Sequence, residues 1–174
     1  LIVDPVLGDD REGIYVDVEL PDFYRRKLLP MADMVLPNRF ELALLSGMTI
    51  DDAAGAVRAA RSLIGNGTKT ALVSSVPADV DTICNVALDA DGGAWSAEVE
   101  LRPLAAKGTG DLLSALFAGH MLIGHPAPSS LARAVAAVDA VVAATIAAGS
   151  DELRVIGQLG RLANPDAREP SKIA

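Results

Sequence analysis

The chain has 174 residues, with 15 Lys and Arg against 23 Asp and Glu, a formal charge of −8 and 51% apolar residues. That is one domain's worth of chain, and its acidity excludes nucleic acid or an anionic bilayer as partner, because both repel it at long range. No run reaches the roughly 18 uninterrupted apolar residues of a membrane span, Ala134 to Gly149 being broken by Asp139, and the single cysteine, Cys84, excludes an intrachain disulfide framework or a cysteine-built zinc site and fits a reducing cytoplasm.

The chain opens Leu1-Ile2-Val3-Asp4-Pro5, without an initiator Met or a signal-peptide n-region. Three apolar residues before a proline are short for a strand of about 5 to 6 residues, so the expectation is a buried strand entered partway, in an N-terminally truncated domain. Gly8-Asp9-Asp10 reads as a polar loop, and Pro21 to Leu29 as a short amphipathic helix. Met34-Val35-Leu36 reads as a buried strand closed by Pro37. Asn38, followed three residues later by Glu41, opens a helix that runs through Leu42 to Ser46 and stops at Gly47. Thr49 to Ile64 is predicted as a second helix, with Asp51 and Asp52 in its first turn and Gly65 as its stop.

Thr70 to Val76 reads as a buried strand. Thr82 to Leu88 and Ala94 to Leu101 alternate in polarity on either side of Asp91-Gly92-Gly93, the pattern of a β-hairpin. An apolar helix is predicted from Leu112 to Ile123, a long Ala- and Val-rich helix capped by Ser129 or Ser130 and running to Ala148, and a last helix over Asp151 to Leu162. The tail, residues 164–174, is polar and expected to be loosely held. Strands alternating with helices define an α/β domain over residues 1–174, with a mostly parallel central sheet flanked by helices and a hairpin at one side.

Three signals carry chemistry. Gly108-Thr109-Gly110-Asp111 opens a helix: glycines allow close approach of a ligand, and the unpaired amides of a helix start attract an anion. Asp111 there suits a general base beside a phosphate, although on four residues alone a tight turn with an Asp cap is the simpler reading. Asn38-x-x-Glu41 is a capping box or, with Glu41 near a divalent metal, part of a phosphate site. Asp4, Asn38 and Ser74 fall at strand ends, where ligands of open α/β sheets bind. His120, His125, Lys107 and the thiol of Cys84 are read as ordinary surface or core groups, and neither a Walker loop nor a dinucleotide glycine fingerprint is present.

Asp4-Pro5-Val6-Leu7-Gly8-Asp9, Leu36-Pro37-Asn38-Arg39-Phe40-Glu41-Leu42 and Gly108-Thr109-Gly110-Asp111-Leu112-Leu113, in that order, resemble the pyridoxal kinases of the ribokinase-like superfamily, as does the stretch from Glu152 to Pro165. The resemblance implies a ribokinase-like fold and ATP-dependent phosphorylation of the 5′-hydroxymethyl group of pyridoxal, with pyridoxine and pyridoxamine as further substrates, in vitamin B6 salvage. It implies Asp111 as base and substrate contact, the amides of Gly108, Thr109 and Gly110 as anion hole, and Asp4, Leu36, Asn38, Glu41 and Ser74 at the ATP site, with Glu41 toward the metal. Arg102-Pro103-Leu104-Ala105 resembles the segment over the nucleotide. ATP, Mg²⁺, K⁺ as a candidate monovalent ion, and a cytoplasmic homodimer follow from the same resemblance. So does the absence of most of the pyridoxal pocket, which predicts an exposed sheet edge and an unstable isolated chain. The alternatives are a kinase of the same superfamily acting on hydroxymethylpyrimidine or a sugar, or a nucleotide-binding fragment without turnover.

Overall fold

The computed structural model describes residues 1–64 and 68–173. A six-stranded sheet forms its centre, in the order β1 (Ile2–Val3), β4 (Met34–Val35), β5 (Thr70–Asp79), β6 (Thr82–Leu88), β7 (Ala94–Glu100) and β8 (Ser171–Lys172); β2 (Gly8–Asp9) and β3 (Gly13–Ile14) form a separate hairpin. β1, β4 and β5 run parallel, while β5 to β8 pair antiparallel. The sheet is therefore mixed rather than mostly parallel, because β6 and β7 return through tight turns instead of crossover helices.

Two-residue periodicity sorts the side chains between two cores. Val73, Val76, Cys84, Val86 and Leu88 face one side, where α2 (Arg39–Ser46) and α3 (Ala53–Leu63) pack through Leu42, Leu45, Ala56 and Ala60. Leu72 and Ala87 face the other, against Leu113 and Phe117 of α4 (Thr109–Leu122) and Leu131 and Val135 of α5 (Ala127–Ala147). By length and composition α5 could cross a membrane, which the interruption at Asp139 had argued against. Its buried residues pack instead on α4, β6 and β7, as in the core helix of a globular domain.

Several local expectations shift by a few residues for identifiable reasons. Asp9 Oδ1 accepts from the amides of Arg11 and Glu12 at 2.9 and 2.7 Å, which folds the expected polar loop into the β2/β3 hairpin. The segment after α1 (Leu20–Phe23) continues as a π-helical turn over Tyr24–Leu28 and a 3₁₀ turn over Leu29–Met31, where Pro30 lacks the amide an α-helix would use. Asp52 caps α3 through the Gly55 amide at 2.6 Å, so Asp51 precedes the helix; the expected stop at Gly65 lies outside the described residues. α5 starts after Pro126 rather than at a serine, since Pro128 in its first turn needs no hydrogen-bonded amide.

Beyond α5, Ser150 and Glu152 close a local turn and the Arg154 amide donates to Thr145 Oγ1 at 3.0 Å. Helix is thereby confined to a 3₁₀ turn at Ile156–Gln158 and α6 (Leu159–Ala163), shorter than predicted. The tail is pinned, not loose. β8 pairs with Trp95 and Ser96 of β7, the Ile173 amide donates to the Ala94 carbonyl at 2.9 Å, and Ile173 packs on the core.

Gly8 is demanded by the close approach of backbone. A Cβ on Gly8 would stand 2.4 Å from the Gly13 carbonyl oxygen and 2.6 Å from Phe40 Cε1. Gly8→Ala is expected to destabilise the protein by about 2 kcal/mol through overpacking, read as a lower urea midpoint at unchanged slope; an unchanged midpoint would show that the hairpin yields freely.

Candidate active site

The carboxyl ends of the parallel strands share one rim. Asp4 follows β1, Asn38 follows β4, and Asn38 forms a parallel bridge with Ser74 of β5. Ser74 does not end its strand as expected. It sits in a β-bulge between Val73 and Val76, where the neighbouring Ser75 adopts a left-handed φ of 60° and β5 bends before continuing to Asp79. A non-glycine residue held there stores backbone strain, a feature concentrated at binding sites.

Asn38 and Glu41 make the full capping box of α2. Asn38 Oδ1 accepts from the Glu41 amide and Glu41 Oε2 from the Asn38 amide, both at 2.9 Å. Glu41 does more than cap. Its Oε1 accepts from the amides of Leu7 at 2.8 Å and Gly8 at 3.5 Å, and Asn38 Nδ2 donates to the Gly8 carbonyl at 2.8 Å. The pair thus fastens the chain after β1 to the start of α2. Glu41 is only 3% exposed. Burial pushes its carboxyl up to about 7 against the pull of the three amides, and the Asp4 charge adds to the rise.

Asp4 links this cluster to α4. Burial raises its pKa, the Ser114 hydroxyl opposes that, and the Asp111 charge raises it further. Asp111 lies in the first turn of α4, exposed, its Oδ2 within 3.8 Å of where a Cβ on Gly108 would stand. Gly108, at φ 95°, is the N-cap, and no side chain caps the helix. The amides of the first turn therefore keep their partial positive charge for a ligand.

A cavity of about 280 Å³ opens beside this helix start, between β6, β7, α4 and α5. It brings together Ser74, Arg102, Leu104, Thr109 and Gly110 from the sequence-derived set, along with Ser75, Asn85 and Asp139, which sequence reasoning missed. Arg102 is held there by Glu100 at 3.0 Å and by Asp139 of α5 at 2.6 Å, which fixes the segment after β7 over the cavity. Asn85 did carry a sequence signal: a polar residue at an inward position of an otherwise apolar strand face. Pro103 and Ala105 flank the cavity without lining it. Leu36 is 4% exposed in the core with Leu113 and Phe117, so only its backbone is near the rim. Lys107 pairs with Glu12, and His120 lies near the far end of α4 with its pKa lowered by burial, Arg133 and His125.

Gly110 lines the cavity at the start of α4. A Cβ there would meet nothing within 4 Å, so neither packing nor backbone conformation requires glycine. Gly110→Ala is expected to stabilise the helix by about 0.5–1 kcal/mol while weakening phosphate binding about tenfold, measured by thermal melts and calorimetry with ADP; unchanged affinity would remove Gly110 from the anion hole.

The mixed α/β fold is of the ribokinase-like kind, and it carries an uncapped glycine helix start, a first-turn aspartate and two further carboxylates. A sequence profile of the phosphomethylpyrimidine kinase family matches residues 1–155, and the chain belongs to that family. The chain is 35% identical over 170 residues to a pyridoxal kinase of Rubrobacter xylanophilus, covering 96% of this chain and 59% of that protein. It is 36% identical over 168 residues to a pyridoxal kinase of Leifsonia xyli, covering 93% and 58%. The structure of a Leishmania donovani pyridoxal kinase in complex with ADP and pyridoxine superposes with a TM-score of 0.89 at 28% identity, over 99% of this chain and 61% of that one. The chain spans about three fifths of the length of these relatives.

Proposed function

We propose that the protein is an ATP-dependent pyridoxal kinase that phosphorylates the 5′-hydroxymethyl group of pyridoxal, and of pyridoxine and pyridoxamine, as its named relatives suggest. The observation that carries this reading is the uncapped start of α4, with Asp111 in its first turn and Thr109 and Gly110 lining the adjacent cavity of about 280 Å³. In this reading the phosphates lie on the amides of Thr109 and Gly110. Asp111 takes the proton of the substrate hydroxyl as its oxygen forms a bond to the γ-phosphorus and the bond to the ADP oxygen breaks. The helix-start dipole stabilises charge on the transferred group without moving. Ser74 and Ser75 wall the cavity on the rim side, and Arg102, held by its two carboxylates, fixes the covering segment.

The donor set fits Mg²⁺. Asp4 and Glu41 are hard oxygen donors whose carboxyls are raised by burial and by neighbouring negative charge, a cost that a dication offsets. No group of three or more metal-ligating side chains converges among the described residues, in keeping with an ion that keeps waters and phosphate oxygens as ligands. When bound it would neutralise charge on the β- and γ-phosphates. K⁺ as a monovalent ion, a homodimer and a cytoplasmic site of action belong to the same proposal.

Transfer of labelled phosphate from ATP to pyridoxal, pyridoxine, pyridoxamine and hydroxymethylpyrimidine tests it. Pyridoxal 5′-phosphate is the expected product. The family match favours hydroxymethylpyrimidine as the second reading, and transfer to that acceptor alone would replace the first.

A further inference from the structure

The far end of α4 carries a polar cluster that phosphoryl transfer does not use. After Leu122 the chain turns at Gly124, with φ 95°, and the His125 amide donates back to the His120 carbonyl at 3.0 Å before Pro126 leads into α5. This turn sets the two imidazoles edge to face, their centroids 5.5 Å apart and their planes at 70°. Arg133, on the second turn of α5, is the third member, and its Nη2 donates to the Ala163 carbonyl at the end of α6 at 3.3 Å. The Nε of Arg133 and both ring nitrogens of His120 are shielded from solvent, and none has a hydrogen-bond partner among the described residues. Shielded polar groups are ordinarily paired, so the corner has no acceptor ready for a further proton. Burial, the Arg133 charge and His125 all hold the pKa of His120 below its ordinary 6.5, and no carboxylate among the groups acting on it offsets them.

We propose that His120, His125 and Arg133 form an acid-sensitive latch between α4 and α5: neutral His120 keeps the corner closed, and a proton on it, set beside Arg133 without an acceptor, opens the corner and frees the end of α6 that Arg133 holds. The direction follows from linkage. An opened His120 takes its proton at the ordinary value, whereas a closed one takes it only at lower pH. Below pH 6.5 the open form therefore binds more protons, and closure weakens as pH falls, by at most about tenfold per unit. None of the three residues lines the cavity at the helix start, so the latch stands whatever the acceptor of the kinase is. The corner also lies on the α4/α5 side of the sheet, across from Glu41 on α2, so a local measurement separates the two titrations.

Amide hydrogen exchange and imidazole NMR from pH 7.5 to pH 5 test the latch in wild type, His120→Leu and Arg133→Met. In wild type the His125 amide, whose bond to the His120 carbonyl reports closure, is expected to lose about tenfold in protection after correction for intrinsic exchange, as His120 titrates below 6.5. His120→Leu removes both nitrogens at similar volume and should hold that protection within about threefold. Arg133→Met keeps the apolar stem and removes the neighbouring cation, so His120 should titrate closer to 6.5 and the acid loss should shrink. A wild-type His120 that titrates at or above 6.5, or equal losses of protection in wild type and His120→Leu, overturns the latch. Should His120→Leu fail to fold, the other two proteins decide: an unchanged His120 midpoint and an undiminished acid loss in Arg133→Met overturn it.

Discussion

Asp111→Asn is expected to lower ATP-dependent phosphorylation of pyridoxal by about 10²- to 10⁴-fold, the usual contribution of a positioned general base, while ADP affinity changes less than about threefold. Asparagine keeps the volume and the polarity of the first turn of α4, and Asp111 is exposed and makes no side-chain hydrogen bond to another described residue, so folding should not suffer. What is lost is the acceptor for the substrate proton. The split between turnover and binding separates this role from a capping role, because a mere cap would move stability and leave transfer alone. Making the same change at the matching aspartate of a longer pyridoxal kinase relative gives a second reading of the effect. Full turnover by either variant would remove Asp111 from the chemistry.

The second large effect concerns pH. Glu41 has an ordinary carboxyl value of 4.5 and is pushed up to about 7 in the fold, chiefly by burial. Between those two values the native protein holds a proton that the unfolded chain has released, so stability falls as pH rises through this window and is level on either side. At about 1.4 kcal/mol per unit, the fall amounts to about 3 kcal/mol. Glu41→Gln stays neutral throughout and should lose that slope, at a constant cost of about 1 kcal/mol because a carboxamide has one acceptor oxygen where Glu41 uses two. Urea titrations of both proteins from pH 4 to pH 8 measure the difference. The idea fails if the two show parallel pH dependence. Asp4, raised in the same direction, remains in both proteins.

Most of the fold was legible because its signals are local. The alternation around Asp91-Gly92-Gly93 gave β6 and β7, and the Asn38, Glu41 and Gly47 pattern gave both ends of α2, the last with a left-handed φ of 70°. The misplaced parts are those where a long-range or irregular contact competes with a local preference. Ser171 and Lys172 carry no strand signal of their own, and only the free edge of β7 makes them β8. The segment from Asp151 could have been helical, but Thr145 accepts the Arg154 amide first.

The candidate site divides in the same way. Sequence by itself determined the glycine-rich helix start with Asp111 and the capping pair of Asn38 and Glu41, because residue type and spacing along a single element carry that information. It could also put Asp4 and Ser74 on one rim, since parallel strands end on the same side. Only the tertiary structure decided that Glu41 receives the Leu7 and Gly8 amides and is buried enough to titrate near neutrality. It alone turned Asn85 and Asp139 toward the cavity and folded Leu36 into the core. The reason is physical: a carboxyl's burial and a side chain's place on a cavity wall depend on what other segments bring against them, and neither is carried by the residues that precede and follow in the chain.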